Sequence, residues 1–136
     1  MPSTPAVSDA SVSVGIDVSK HHLDVHLHPL NQSLRVENSA AGLAHLQHQL
    51  QPLSLQRIAV ESTGGYERDL LTMLLAMRAP VSLVNPLPVR HFALGLGLLA
   101  KTDRLDARVL ALYAEHVRPR LAVAVPADLQ DLRAHD

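Results

Sequence analysis

The 136-residue chain has no cysteine and no tryptophan, and its aromatic content is 2%, confined to Tyr66, Phe92 and Tyr113. Without cysteine there is no disulfide and no thiolate metal site, and a reducing cytoplasm suits the chain. No apolar run reaches the roughly 18 residues of a membrane span. The first ten residues lack the basic and apolar regions of a secretory signal and are expected to be a disordered leader. A basic excess is missing too. The net charge is −1, so the overall balance gives no argument for a polyanion partner.

What remains is aliphatic. A hydrophobic content of 47% over this length is enough for one domain, with a core of Leu, Val, Ile, Ala and Met. The charge is unevenly spread. From Arg78 to Arg120 there are seven Lys/Arg against three acids, Asp103, Asp106 and Glu115. Were the two aspartates committed to a metal, this half would present a cationic surface to a phosphate backbone; scattered solvated charge explains the same count.

Periodicity gives the element order. Val12, Val14, Ile16 and Val18 alternate with small residues, so Ser11 to Val18 reads as a strand whose Asp17 points away from the valines. Leu23, Val25 and Leu27 continue as a second strand, and Ser33 to Glu37 as a third. Asn38-Ser39 then caps a helix carrying Leu43, Leu46 and Leu50. Arg57 to Val60 is a short strand ending in Glu61, before the breaker Thr63-Gly64-Gly65. A helix over Tyr66 to Met77, a strand over Val81 to Val84, a short helix around Val89 to Leu94 and a long helix from Thr102 to His116 complete the order β-β-β-α-β-α-β-α-α. A meander followed by alternating strands and helices predicts an α/β, ribonuclease-H-like fold: a mixed five-stranded sheet with helices on both faces. Residues 11–120 form that domain, and residues 121–136 read as a linker and the start of a truncated helix.

Chemistry concentrates in acids. Asp17 and Glu61 close two strands that this arrangement sets side by side. Asp103 and Asp106, three apart, are neighbours on the surface of the expected last helix, where two ionised carboxylates repel by about 3 kcal/mol. Thr102 or Asp103 is a candidate N-cap, and a capped helix with solvated acids accounts for the heptapeptide from Lys101 to Ala107 by itself. The two acids upstream tilt the balance. Four carboxylates without a thiolate make a hard oxygen site, suited to Mg²⁺ or Mn²⁺, and a pair of such ions can clamp both oxygens of a phosphodiester displacement. Lys20, Lys101, Arg104 and Arg108 are candidate nucleic-acid contacts, with ordinary solvated cations as the alternative.

Taken together, Gly15-Ile16-Asp17-Val18-Ser19-Lys20, Glu61-Ser62-Thr63-Gly64-Gly65-Tyr66, Val84-Asn85-Pro86 and Ala100-Lys101-Thr102-Asp103-Arg104-Leu105-Asp106-Ala107 resemble the N-terminal domain of the DEDD transposases of the insertion sequence 110 family. The resemblance spans about residues 12 to 120, in order and in register. It implies a RuvC-like fold and an acidic tetrad of Asp17, Glu61, Asp103 and Asp106 binding Mg²⁺. It also implies strand exchange on DNA directed by a bridge RNA, in an oligomer associated with the nucleoid. In that family a second, C-terminal domain carries a serine nucleophile. This chain stops before it, so the fragment is expected to bind metal without recombining DNA.

Other patterns compete. Gly95-Leu96-Gly97-Leu98-Leu99-Ala100 spells the dinucleotide G-x-G-x-x-A but follows a helix, so it reads as a connector. His21, His22, His26 and His28 are a possible transition-metal cluster, more simply solvated. Ser19 and Ser62 adjoin acids without a histidine base at fixed spacing, and read as turn residues. Gly15 to Ser19 also resembles the phosphate loop of actin-like ATPases and sugar kinases, which require a second copy of the fold. A non-catalytic nucleic-acid-binding module is the remaining alternative.

Overall fold

The computed structural model describes residues 11–125. Five strands and four helices follow in the order β1 (Val12–Val18), β2 (His22–His28), β3 (Gln32–Glu37), α1 (Ala40–Leu50), β4 (Leu55–Glu61), α2 (Arg68–Ala76), β5 (Val81–Val84), α3 (Pro86–Gly95) and α4 (Ala107–Val117). They form one mixed sheet of order β3-β2-β1-β4-β5. The β1–β2 and β2–β3 pairs are antiparallel, as short turns dictate, whereas β1–β4 and β4–β5 are parallel, joined by helical crossovers. The element order and the mixed sheet are those expected from the sequence.

Alternation decides what each face holds. Val12, Val14, Ile16, Leu23, Val25, Ile58 and Val60 point to one side and are covered by Leu46 and Leu50 of α1 and Leu70, Leu71 and Leu74 of α2. The opposite side carries small and polar residues, among them Ser13, Gly15, Asp17, Ala59 and Glu61. It is closed by α4 with α3, through Val89, Ala93, Leu105, Val109, Leu110 and Tyr113. Gly15 is what lets α4 lie so near. A methyl on it would overlap the Ala107 carbonyl and the Ala111 amide and come within 2.8 Å of Leu110 Cβ.

Two helix starts differ from expectation. The helix predicted from Val89 begins at Pro86, capped by Asn85, whose side chain accepts from the Leu87 amide at 2.9 Å. Pro86 and Pro88 fall in the first turn, where a missing N–H costs nothing. The last helix begins at Ala107, not Thr102. Its cap is Asp106, accepting from the Val109 amide at 2.9 Å, rather than Thr102 or Asp103. The Asp103 carboxylate instead turns back to the Ala100 amide at 2.8 Å, while the Asp103 amide donates to the Ala100 carbonyl at 3.0 Å. This local closure competes with helix, as aspartate does in turns. Asp103 and Asp106 therefore do not share a helical face. The leader over residues 1–10 and the helix start after Pro126 lie outside the described residues.

Candidate metal centre

The parallel register pairs Ile16 with Val60, so the next residues, Asp17 and Glu61, end their strands side by side. They lie on the face covered by α4, whose N-cap is Asp106. Asp17 and Asp106 line one cleft of about 430 Å³, together with Asp24, His26, Arg35 and Arg108. Glu61 lines a smaller cleft of about 170 Å³ with Pro86, Arg90, Arg104 and Leu105. The two clefts flank a single acidic edge.

The electrostatics are those of an edge short of positive charge. Burial raises the Asp17 carboxyl above the usual range, and the charges of Asp24 and Asp106 add to that, opposed by Arg104 and Arg35. Burial raises Glu61 as well, with Asp17 the next contributor, opposed by Arg104 and Arg90. Asp17 thus sits in the field of Asp106, and Glu61 in that of Asp17. The fourth predicted acid does not join them: Asp103 is exposed, and its carboxylate is engaged with the Ala100 amide. Among the described residues no group of three or more carboxylates or histidines stands close enough to hold an ion. In kind, the donors suit a hard divalent cation: oxygens only, with Asp17 and Glu61 half-buried and mutually repelling. In placement, Asp17 shares one cleft with Asp106, Glu61 lines the other, and Asp103 is held apart. Lys20, Lys101, Arg104 and Arg108 are all exposed, Lys20 just beyond the end of β1 and the others around the start of α4.

The histidine reading needs correction at one position. His26 is not solvated: it lies beside Gly15 on the face that α4 covers, is 6% exposed, and its Nδ1 is bonded to Ser33 Oγ at 2.8 Å. Its burial, then the Arg108 charge, lowers its pKa.

Several residues that build the site carried no sequence signal. Glu67 is fully buried, and its Oε1 accepts from the Thr63 hydroxyl, the Thr63 amide (3.1 Å) and the Gly65 amide (3.3 Å). It thereby clamps the loop that follows Glu61, in which Gly64 and Gly65 adopt φ values of 84° and 135°. Asn38 bridges the carbonyls of Ser19 (2.9 Å) and Tyr66 (3.0 Å), tying the turn after Asp17 to that same loop. Arg90 donates to the carbonyls of Lys101 (3.4 Å) and Asp103 (2.7 Å), fixing the approach to α4. Asp24, opposite Asp17 in the β1–β2 register, is held bidentately by Arg35 at 2.7 and 3.0 Å.

Residues 14–135 match the family model of the DEDD transposases of insertion sequence 110, described as transposase. The chain belongs to that family. The pilin gene-inverting proteins of Moraxella lacunata and Moraxella bovis are each 32% identical to it over 114 residues, which is 79% of this chain and 35% of theirs. The chain therefore spans about a third of the length of these relatives. The solved RuvC of T. thermophilus, in complex with a Holliday junction substrate, superposes with a TM-score of 0.53 at 19% identity, over 83% of this chain and all of that one. The DEDD family member thus has the RuvC-like, ribonuclease-H-like fold. No helix among its described residues is long and apolar enough to cross a membrane.

Proposed function

We propose that this chain is the metal-dependent catalytic domain of a DNA transposase or recombinase, cleaving and transferring phosphodiester strands. The observation that carries the reading is the pairing of Asp17 and Glu61 towards the ends of parallel β1 and β4, with Asp106 at the start of α4 in the same cleft as Asp17. Asp17, Glu61 and Asp106 would hold Mg²⁺ or Mn²⁺, joined by Asp103 once its segment re-seats. Bound there, such ions supply Lewis-acid stabilisation of the oxygens that exchange at phosphorus.

The chain's own residues do the rest. Asn38 and Glu67 hold the two loops that follow the strand-end acids, so the carboxylates keep their spacing through turnover. Lys20, Lys101, Arg104 and Arg108 contact the phosphate backbone of the strand, which positions it without reading its sequence. The RuvC neighbour was solved with a four-way DNA junction and the Moraxella relatives are named for inverting a gene, which supports DNA as the substrate class. A guide RNA, a homo-oligomer and a serine-bearing C-terminal domain follow from the family resemblance and belong to the same proposal.

The test is titration calorimetry of the chain with MgCl₂ and MnCl₂. Wild type is expected to bind, and Asp17→Asn and Glu61→Gln to lose binding while keeping the wild-type circular dichroism spectrum. Equal binding by wild type and both variants would remove the site from the acidic edge.

A further inference from the structure

The larger cleft beside Asp17 holds polar groups that play no part in the acidic edge. Helix α4 lies over β1, β2 and β4, and the cleft opens between the start of that helix and β3. Its volume of about 430 Å³ falls within the range of small-ligand pockets. Cross-strand register arranges the sheet side of the cleft in two rows. One is Asp17, Asp24 and Arg35; the next is Gly15, His26 and Ser33. Val25 and Leu34, one residue along, send their side chains into the core on the opposite face, so strand backbone floors the cleft between the rows.

Two groups in those rows are fixed in place with bonding capacity left over. Asp24 is gripped by Arg35 through both oxygens, at 2.7 and 3.0 Å, which sets the plane of the carboxylate. A carboxylate has about four acceptor sites, so two remain. His26 is 6% exposed, and its ring is held by the bond between Nδ1 and Ser33 Oγ. Its Nε2 has no partner among the described residues and is not one of the polar atoms sealed inside without one, so it opens on the cleft. Burial, then the Arg108 charge, keeps this ring in its neutral form. Asp24 and His26 are two apart on β2 and therefore share a face. With the Ser33 hydroxyl donating to Nδ1, Nε2 carries the proton, and the pair presents an acceptor beside a donor.

We propose that this cleft receives one unpaired nucleobase of the DNA strand and reads an amino group beside a ring-nitrogen acceptor, the edge that cytosine and adenine share. Asp24 accepts from the exocyclic amino group, and His26 Nε2–H donates to the ring nitrogen. Thymine and guanine present a carbonyl and a ring N–H there, which sets acceptor against acceptor and donor against donor. The base must be unpaired, because in a duplex that edge is already taken. The proposal rests on DNA as the substrate, as read above, and not on a bound ion. A nucleotide next to a phosphate held near Asp17 has this cleft as its neighbouring space, and Arg108, exposed at the rim, meets its phosphate.

Chemical-shift titration of the whole ¹⁵N-labelled chain with deoxynucleoside 5′-monophosphates, in EDTA at about physiological ionic strength, tests this. The cytosine and adenine nucleotides are expected to shift the amides of His26, Ser33 and Arg35, and to bind at least fivefold more tightly than those of thymine and guanine. Deoxyribose 5-phosphate is expected to leave these amides unmoved. Asp24→Asn should reduce the preference to within twofold, and Ser33→Ala should weaken the cytosine nucleotide at least threefold. Both lie on the open side of the cleft, and the spectrum of each variant reports its fold directly. His48→Ala, exposed on α1 in the other layer, should stay within twofold. If all four nucleotides and the sugar phosphate bind alike, only phosphate is held and the base pocket is overturned; a preference that survives Asp24→Asn overturns it too. If the nucleotides leave the cleft unmoved while single-stranded oligodeoxycytidine shifts the amides of Lys20, Lys101 and Arg104, the DNA reading stands and this inference falls. If neither probe binds, both fall.

Discussion

Replacing Gly15 with alanine should be among the most damaging single-methyl changes available in this chain. Gly15 lies in the middle of β1, and an added Cβ would meet the Ala107 carbonyl oxygen, the Ala111 amide nitrogen and Leu110 Cβ. Two of these are backbone atoms of a helix, so no side-chain rotation relieves the overlap. The helix must lift, or β1 must bow. Either response loosens the contacts of Val109, Leu110 and Ala114, all of which are buried. Overpacking a core usually costs about 1–3 kcal/mol. A clash between two backbones belongs at the upper end, about 3 kcal/mol or more. For a domain of this size that is a fall in melting temperature of roughly 12 °C or more. The assay is urea unfolding followed by circular dichroism, with thermal melts in parallel. Gly95→Ala is the control: an alanine methyl there meets nothing within 4 Å at the end of α3, and should change stability by less than about 1 kcal/mol in the favourable direction. Because Asp106 is the N-cap of α4, Gly15→Ala should also weaken Mg²⁺ binding in whatever fraction remains folded. A Gly15→Ala protein within 1 kcal/mol of wild type would show that α4 is not seated on β1 as described.

Three further outcomes can be measured on the same chain. Asp106→Ala removes both the helix cap and a metal oxygen and should cost about 1 kcal/mol in urea unfolding. Asp106→Asn keeps a capping oxygen and should unfold like wild type, yet both should lose Mg²⁺ affinity; a strong binder among them would exclude Asp106 from the site. Glu67→Leu strands the buried Gly65 amide and the Thr63 donors and should cost roughly 2–4 kcal/mol, whereas Glu67→Gln, which retains an acceptor, should lose less than half of that. Equal losses would mean the charge, not the acceptor geometry, holds the loop. For pH, the raised carboxyl of Asp17 means the folded chain holds that proton more tightly than the unfolded one, so its contribution to stability declines as pH rises through the raised value. Metal-free Asp17→Asn should therefore melt above wild type at pH 7, by a margin that shrinks on acidification towards pH 4. The lowered pKa of His26 acts in the opposite direction but is common to both proteins and cancels in the difference. A constant margin would place the origin of the effect elsewhere.

The alternation of Val12, Val14, Ile16 and Val18 was enough to foresee which way Asp17 points, and the breaker after Glu61 marked the strand end beside it. These features are local, set by a period of two and by turn residues, and they are the part of the architecture a sequence displays. The start of α4 was misjudged because Leu105 continues the helical stripe of Val109 and Leu112, while Asp106 as a cap and Asp103 as a turn former compete for the same boundary. Hydrophobic spacing does not register that competition. Glu67, Asn38 and Arg90 were invisible for a different reason. Each acts through backbone carbonyls or amides far along the chain or across a tight loop, and such bonds leave no periodic trace. His26 was misread because its face of β2, beside Gly15, is covered by α4, a long-range contact that alternation along the strand does not display.

Among the described residues, the segment after α4 leads away from the acids. Ser82 Oγ donates to the Pro119 carbonyl at 2.9 Å, and the Ala122 amide to the Val81 carbonyl at 2.8 Å, so residues 119–122 descend along β5 against its direction. A fluorescent reporter or an affinity handle attached at Ala122 would consequently sit at the opposite end of β5 from Glu61, clear of the two clefts. The same attachment made in the turn at Ser19 or in the stretch before α4 would crowd them.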